Sequence, residues 1–149
     1  MAIIKFYAAG IPSVPVSNKN FLKSFVHYLF KEEQKNLAAL TYVFTTDDHL
    51  LTLNLEYLGH NTLTDVITFN LSEVAEEIIG EVYISVQRVK VNAKLYQKPF
   101  SNELRRVIFH GSLHLCGYTD KKKSEITIIR LKEDHYLSLF DEKSKSSST

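Results

Sequence analysis

The chain has 149 residues, 44% of them hydrophobic and 23% charged, with a formal net charge of +1. That composition belongs to a folded globular protein and argues against a disordered chain, and no apolar run nears the ~20 residues a bilayer span requires. The small charge separates it from the strongly basic nucleic-acid binders, so any contact with phosphate has to come from a local patch.

The N-terminus, MAIIKFYAAGIPSVP, lacks the basic start and long apolar stretch of a signal peptide, and the expected location is the cytoplasm. Residues 2–8 read as a strand, followed by a proline-containing loop. Ser17 or Asn18 can cap a helix over 18–34, where Phe21, Leu22, Phe25, Val26, Leu29 and Phe30 recur at helical spacing. Residues 38–45 are β-branched and aromatic and read as a second strand. Thr46 or Asp47 caps a short helix through Leu58, ended by Gly59. Val66–Phe69 reads as a short strand and Ile78–Ser85 as another, with Ser85 able to cap a helix over 86–97. Pro99 and Ser101 mark the start of a helix that stops at Gly117, and a last helix begins near Ser124. The composition DEKSKSSST predicts a disordered polar tail over 141–149, after a single domain at 1–140. The expected fold class is α+β: a small mixed sheet of about four strands with helices packed on it.

The segment that carries chemistry is HGSLHLCGYTD, residues 110–120. Two histidines four apart on a helix lie roughly 40° from each other around its axis, at ~3.6 residues per turn, so His110 and His114 can face one ion. Gly117 allows a left-handed turn out of the helix, and Asp120 can then bring a carboxylate to the same point. Two imidazoles and a carboxylate suit zinc, one ion per chain, with a fourth position left to water. Beyond that water no catalytic residue is assigned. Cys116, the one cysteine, points roughly 200° from His114 and reads as a core residue in a reducing compartment. The competing reading makes both histidines packed core residues and Asp120 a turn residue.

Zinc peptidases share this ligand spacing but carry glutamate directly after the first histidine as general base. Here that position is Gly111, which weighs against a conventional peptidase. At this point the sequence resembles a known family. HGSLHLCGYTD is similar to the core motif of the YbeY family of bacterial endoribonucleases. Residues 54–69, NLEYLGHNTLTDVITF, resemble its Asn-x-x-Tyr segment followed by Thr-Asp-Val and an apolar strand. GEVYIS at 80–85 resembles its Gly-acidic-aliphatic strand, and RLKEDHYL at 130–137 its acidic closing helix.

The resemblance implies a zinc-dependent RNase on an α+β fold, acting on RNA, chiefly rRNA, at the small ribosomal subunit, with a role in ribosome quality control. Ribosomal proteins or a GTPase are candidate partners, and no membrane is involved. By position the three metal ligands fall on His110, His114 and Asp120. Most members have histidine at the third place, and many have arginine where this chain has Leu58. Either another cation contacts phosphate here, or cleavage is slower than the family norm. Arg105, Arg106, Lys121, Lys122 and Lys123 are the candidate phosphate contacts, against the alternative that they are solvated surface charges. Asp65 and Glu81 are candidates to transfer protons or to hold a ligand histidine, against a turn cap and a strand-surface charge. His60 precedes Asp65 in its loop, while His27 and His135 sit in helices. The alternative functions are a zinc metallopeptidase-like hydrolase and a ribosome-binding assembly factor with little catalysis.

Overall fold

A computed structural model describes residues 2–147. Strands β1 (Ile3–Ala8), β2 (Leu37–Thr45), β3 (Val66–Asn70) and β4 (Ile78–Ser85) form one sheet in the order β1-β2-β4-β3. β1, β2 and β4 run parallel, and β3 returns antiparallel to β4 as an edge strand. Helices α1 (Lys19–Glu32), α2 (Asp47–Leu53), α3 (Val86–Leu95), α4 (Phe100–Leu115) and α5 (Lys123–Ser147) complete the described chain, with a π-helical turn at Asn54–Leu58 extending α2. The fold is therefore α+β with a four-stranded mixed sheet.

The helix starts follow capping chemistry. The side chains of Asn18, Thr46 and Ser85 each accept a hydrogen bond from the backbone N–H three residues on, meeting a donor the first helical turn leaves free. α4 packs against both β3 and β4 and touches α1, α3 and α5. Leu104, Val107, Ile108, Phe109, Leu113 and Leu115 are buried along it, in one core with Val82, Ile84, Phe25 and Tyr136.

The end of the chain differs from the sequence expectation. Residues 141–147, read as part of a disordered tail, continue α5, and 148–149 lie outside the described residues. The last turns rest on α1: the Lys143 ammonium sits 4.3 Å from the centre of the Tyr28 ring, a cation–π contact that composition does not reveal.

Candidate metal centre

The centre is built at the C-terminal end of α4. One face of that helix is pressed on the sheet. A Cβ added at Gly111 would stand 2.7 Å from Val82 Cγ1 and 3.3 Å from Thr68 Oγ1, so only glycine permits this approach. A side chain after the first histidine would point into the sheet, which is why the peptidase glutamate has no place here. His110 and His114 lie on another face, with ring centroids 4.5 Å apart.

Gly117, at φ 109°, then ends the helix. The Tyr118 N–H donates to the Leu113 carbonyl at 3.1 Å and the Gly117 N–H to the His114 carbonyl at 3.0 Å. This pair of bonds is the Schellman closure, which reverses the chain immediately after the helix. The reversal returns Asp120 to the histidines, its Oδ2 lying 3.3 Å from His110 Nε2 and 3.4 Å from His114 Nε2.

The ring nitrogens reveal what the site can hold. His114 Nδ1 is 2.8 Å from the Tyr118 carbonyl oxygen, which can only accept, so this nitrogen is the donor. His110 Nδ1 is 2.6 Å from Glu133 Oε2, and the other oxygen of that carboxylate pairs with Arg106 at 2.8 Å. With both Nδ1 atoms donating, each ring when neutral presents an Nε2 lone pair, and the two Nε2 atoms face each other at 2.9 Å beside Asp120. Three lone-pair donors converging in this way repel one another unless a cation lies between them. Tetrahedral zinc bonds of ~2.0–2.1 Å would set ligand atoms roughly 3.3 Å apart, close to the spacing here. Burial opposes a positive His110, but the hydrogen bond and charge of Glu133, with Asp120 and Asp65 behind it, outweigh burial and hold its pKa above the ordinary value, so a proton competes with a metal for this ring as pH falls. The three residues fit a divalent metal.

The other expected residues divide. Asp65 lines the cavities on both sides of His110 and accepts from Asn92 Nδ2 at 3.4 Å; it hydrogen-bonds to neither histidine, and burial pushes its carboxyl up. Glu81 lies on the sheet face turned from α4, where it accepts from the Tyr83 hydroxyl at 3.0 Å; its neighbours Gly80 and Val82 are the ones that meet α4. Alternation along β4 therefore puts Glu81 away from the centre. Arg106 reaches the centre, but as the partner of Glu133 and Asp134. Arg105 leaves it, its guanidinium lying 4.7 Å from the centre of the Phe140 ring. Lys121 lines the groove that also holds both histidines, Asp120, Leu58 and His60, whereas Lys122 and Lys123 are exposed and outside that groove. Cys116 is buried, and burial pushes its thiol up to about 12, as befits a core residue.

The groups that orient the two histidines were not read from the sequence. The Tyr118 carbonyl is backbone and leaves no residue signal. Glu133 did leave one: it sits in the inward stripe of α5 with Ile129, Tyr136, Leu137 and Phe140, and is itself buried. A carboxylate inside an apolar stripe at helical spacing marks a buried partner.

A sequence model of the family described as Endoribonuclease YbeY matches residues 12–141. A protein of that name from Flavobacterium psychrophilum is 44% identical over 117 residues, covering 78% of this chain and 83% of the relative. One from Porphyromonas gingivalis is 35% identical over 142 residues, covering 95% and 93%. Among solved structures, the solution structure of a Thermotoga maritima protein superposes with a TM-score of 0.61 at 25% identity, covering 97% of this chain and 93% of that one.

Proposed function

This chain belongs to the YbeY endoribonuclease family, and from that premise we propose that it is a zinc-dependent endoribonuclease that cuts single-stranded RNA. The observation that carries the reading is the convergence of His110 Nε2, His114 Nε2 and Asp120 Oδ2, with both Nδ1 atoms already occupied as donors. Two imidazoles and one carboxylate favour zinc over harder cations and leave a coordination position open. Bound there, the ion supplies Lewis-acid polarisation of a phosphodiester and of water.

The chain supplies the rest. Glu133 and the Tyr118 carbonyl keep both imidazoles in the tautomer that presents Nε2 to the ion. Lys121 is the side-chain ammonium in the groove beside β3, and we assign it the phosphate contact that Leu58 cannot make. Following the family resemblance, the substrate we infer is rRNA of the small ribosomal subunit, in maturation and quality control in the cytoplasm. No helix among the described residues is long and apolar enough to cross a membrane. A peptidase is disfavoured because Gly111 lies against Val82, leaving no site for the usual base.

The test combines metal analysis with cleavage. Protein purified without added metal is expected to carry close to one zinc per chain and to cut single-stranded RNA, and His114→Ala to lose both. Cleavage by His114→Ala at the parental rate would refute the metal role. A stoichiometric metal with no RNA turnover, and ribosomal-subunit binding that survives its removal, would make the protein an assembly factor instead.

A further inference from the structure

We propose that the cavity between α3, α4 and α5, beside the metal centre, is a nucleobase pocket that selects guanine through the Glu103 carboxylate. The inference rests on the endoribonuclease reading, since the base would belong to a nucleotide whose phosphate lies at the centre. The cavity has a volume of about 290 Å³, and His110 and Asp120 form part of its wall. That is near the lower end of small-molecule sites at roughly 300 Å³, enough for one planar base and too small for a longer segment.

Its chemistry narrows the ligand. Glu103 lines it and is 4% exposed, yet among the described residues its carboxylate makes no hydrogen bond or ion pair. A carboxylate that opens into a cavity wall with no protein donor is free to accept donors from a ligand. Burial pushes this carboxyl above its ordinary value, with Arg106 and Arg130 opposing the shift. Those guanidiniums also line the cavity, but so do the carboxylates of Asp65, Asp120 and Glu133, and Arg106 is already paired with Glu133 and Asp134, so the lining disfavours an anion and favours a ligand that brings donors. A neutral ligand that offers donors to Glu103 and an acceptor to Arg130 fits it.

The walls complete the match. Val107 and Ile129 are buried apolar lining, and Tyr96 and Ile126, 52% and 41% exposed, also line it. An aromatic ring and aliphatic branches suit the faces of a base, and stacking is the usual way single-stranded RNA bases are held. Among the bases, guanine presents N1–H and the N2 amino group side by side, two parallel donors for the two oxygens of one carboxylate. Its O6 lies on the same edge and accepts from a donor such as Arg130.

The experiment uses the metal-loaded full chain. Calorimetry compares guanosine, inosine and adenosine 5′-monophosphates, which share the phosphate and differ at the base edge; inosine lacks only the N2 amino group. The expected result is a preference for the guanosine nucleotide of at least about tenfold, as for a buried site missing its partner. Glu103→Gln should lose most of that preference with zinc content unchanged. In parallel, single-stranded oligoribonucleotides that differ at one position should be cut preferentially beside guanine. Equal binding of the three nucleotides by the parent protein overturns the pocket, and this comparison needs no variant. Cleavage indifferent to base, with no nucleotide preference, overturns the pocket and keeps the nuclease. Guanosine preference without RNA cleavage keeps the pocket and overturns the nuclease.

Discussion

The two histidines of the candidate metal centre are held in place by opposite means. His114 is oriented by its own helix end, through the carbonyl of Tyr118 four residues on. The same Schellman turn that ends α4 sets that carbonyl, so the support is local and made of backbone. His110 is oriented by Glu133, a residue of another helix whose side chain is only 3% exposed and which is itself paired with Arg106. That support is charged, made of side chains, and exists only once α5 has docked. One histidine is thus preset by local chain geometry and the other by tertiary structure. The centre is complete only when both conditions hold, which couples metal affinity to the packing of α5 on α4.

The strongest way to break this contrast is to weaken the tertiary support alone. Glu133→Gln keeps an oxygen that can accept from His110 Nδ1 but removes the charge that favours a basic imidazole and that pairs with Arg106. Loss of an outer carboxylate of this kind typically lowers metal affinity by roughly 10–100-fold. Zinc competition against a chromophoric chelator should find the variant within that range. Arg106 keeps its contact with Asp134, at 2.5 Å, so the helix pair should stay docked and the fold intact. A twofold change or less would mean that Glu133 does not matter to the metal and that the contrast is wrong.

The opposite test attacks the local support from outside. The Tyr118 hydroxyl donates to Glu33 at 2.8 Å, so α1 grips the turn without touching the carbonyl that holds His114. Tyr118→Phe should therefore cost stability and spare the metal. A hydrogen bond to a charged group is worth ~1.5–3 kcal/mol, which urea denaturation of the metal-free protein can resolve. Chelator competition should find zinc affinity within about threefold of the parent, far from the effect of losing a direct outer partner. If affinity fell as far as in Glu133→Gln, the turn would depend on α1 and could not be called locally preset.

The same division explains what could be read before the fold was known. The spacing of His110, His114, Gly117 and Asp120 specifies a helix, its stop and a returning carboxylate, all within a short segment, and local rules suffice to read it. The strand and helix order was legible for the same reason, since Asn18, Thr46 and Ser85 announce helix starts by their side-chain chemistry. What depends on which face of which element meets another was harder. Arg105 and Arg106 are neighbours in sequence, but the helical rotation between them sends one to Phe140 and the other to Glu133. Glu81 has a suggestive motif, yet strand alternation turns it from α4. α5 continues past residue 140, where Lys143 lies over the Tyr28 ring of α1, a contact that no local pattern of Lys and Ser contains.

The smallest effect on the centre should come from the outermost member of the local support. Glu33 is half-buried, and burial alone opposes its charge, but hydrogen bonds from Tyr136, Tyr118 and Lys132 outweigh it and hold its pKa below the ordinary glutamate value. A carboxyl with a depressed folded-state pKa stabilises the fold fully above its unfolded pKa. That contribution is lost as pH falls through the folded value, because the unfolded chain then takes up the proton more readily. The parent protein should therefore lose stability on acidification below the ordinary glutamate range, and Glu33→Gln should show a flatter profile there. At neutral pH the variant should be less stable, by less than Tyr118→Phe, because the amide oxygen still accepts from the phenols. Zinc affinity should not change measurably, since two bonds and a backbone carbonyl separate Glu33 from His114. Urea midpoints across an acidic pH series on metal-free protein check the first claim, and chelator competition at neutral pH checks the second. Parallel pH profiles for parent and variant would show that the Glu33 charge contributes nothing to holding the turn.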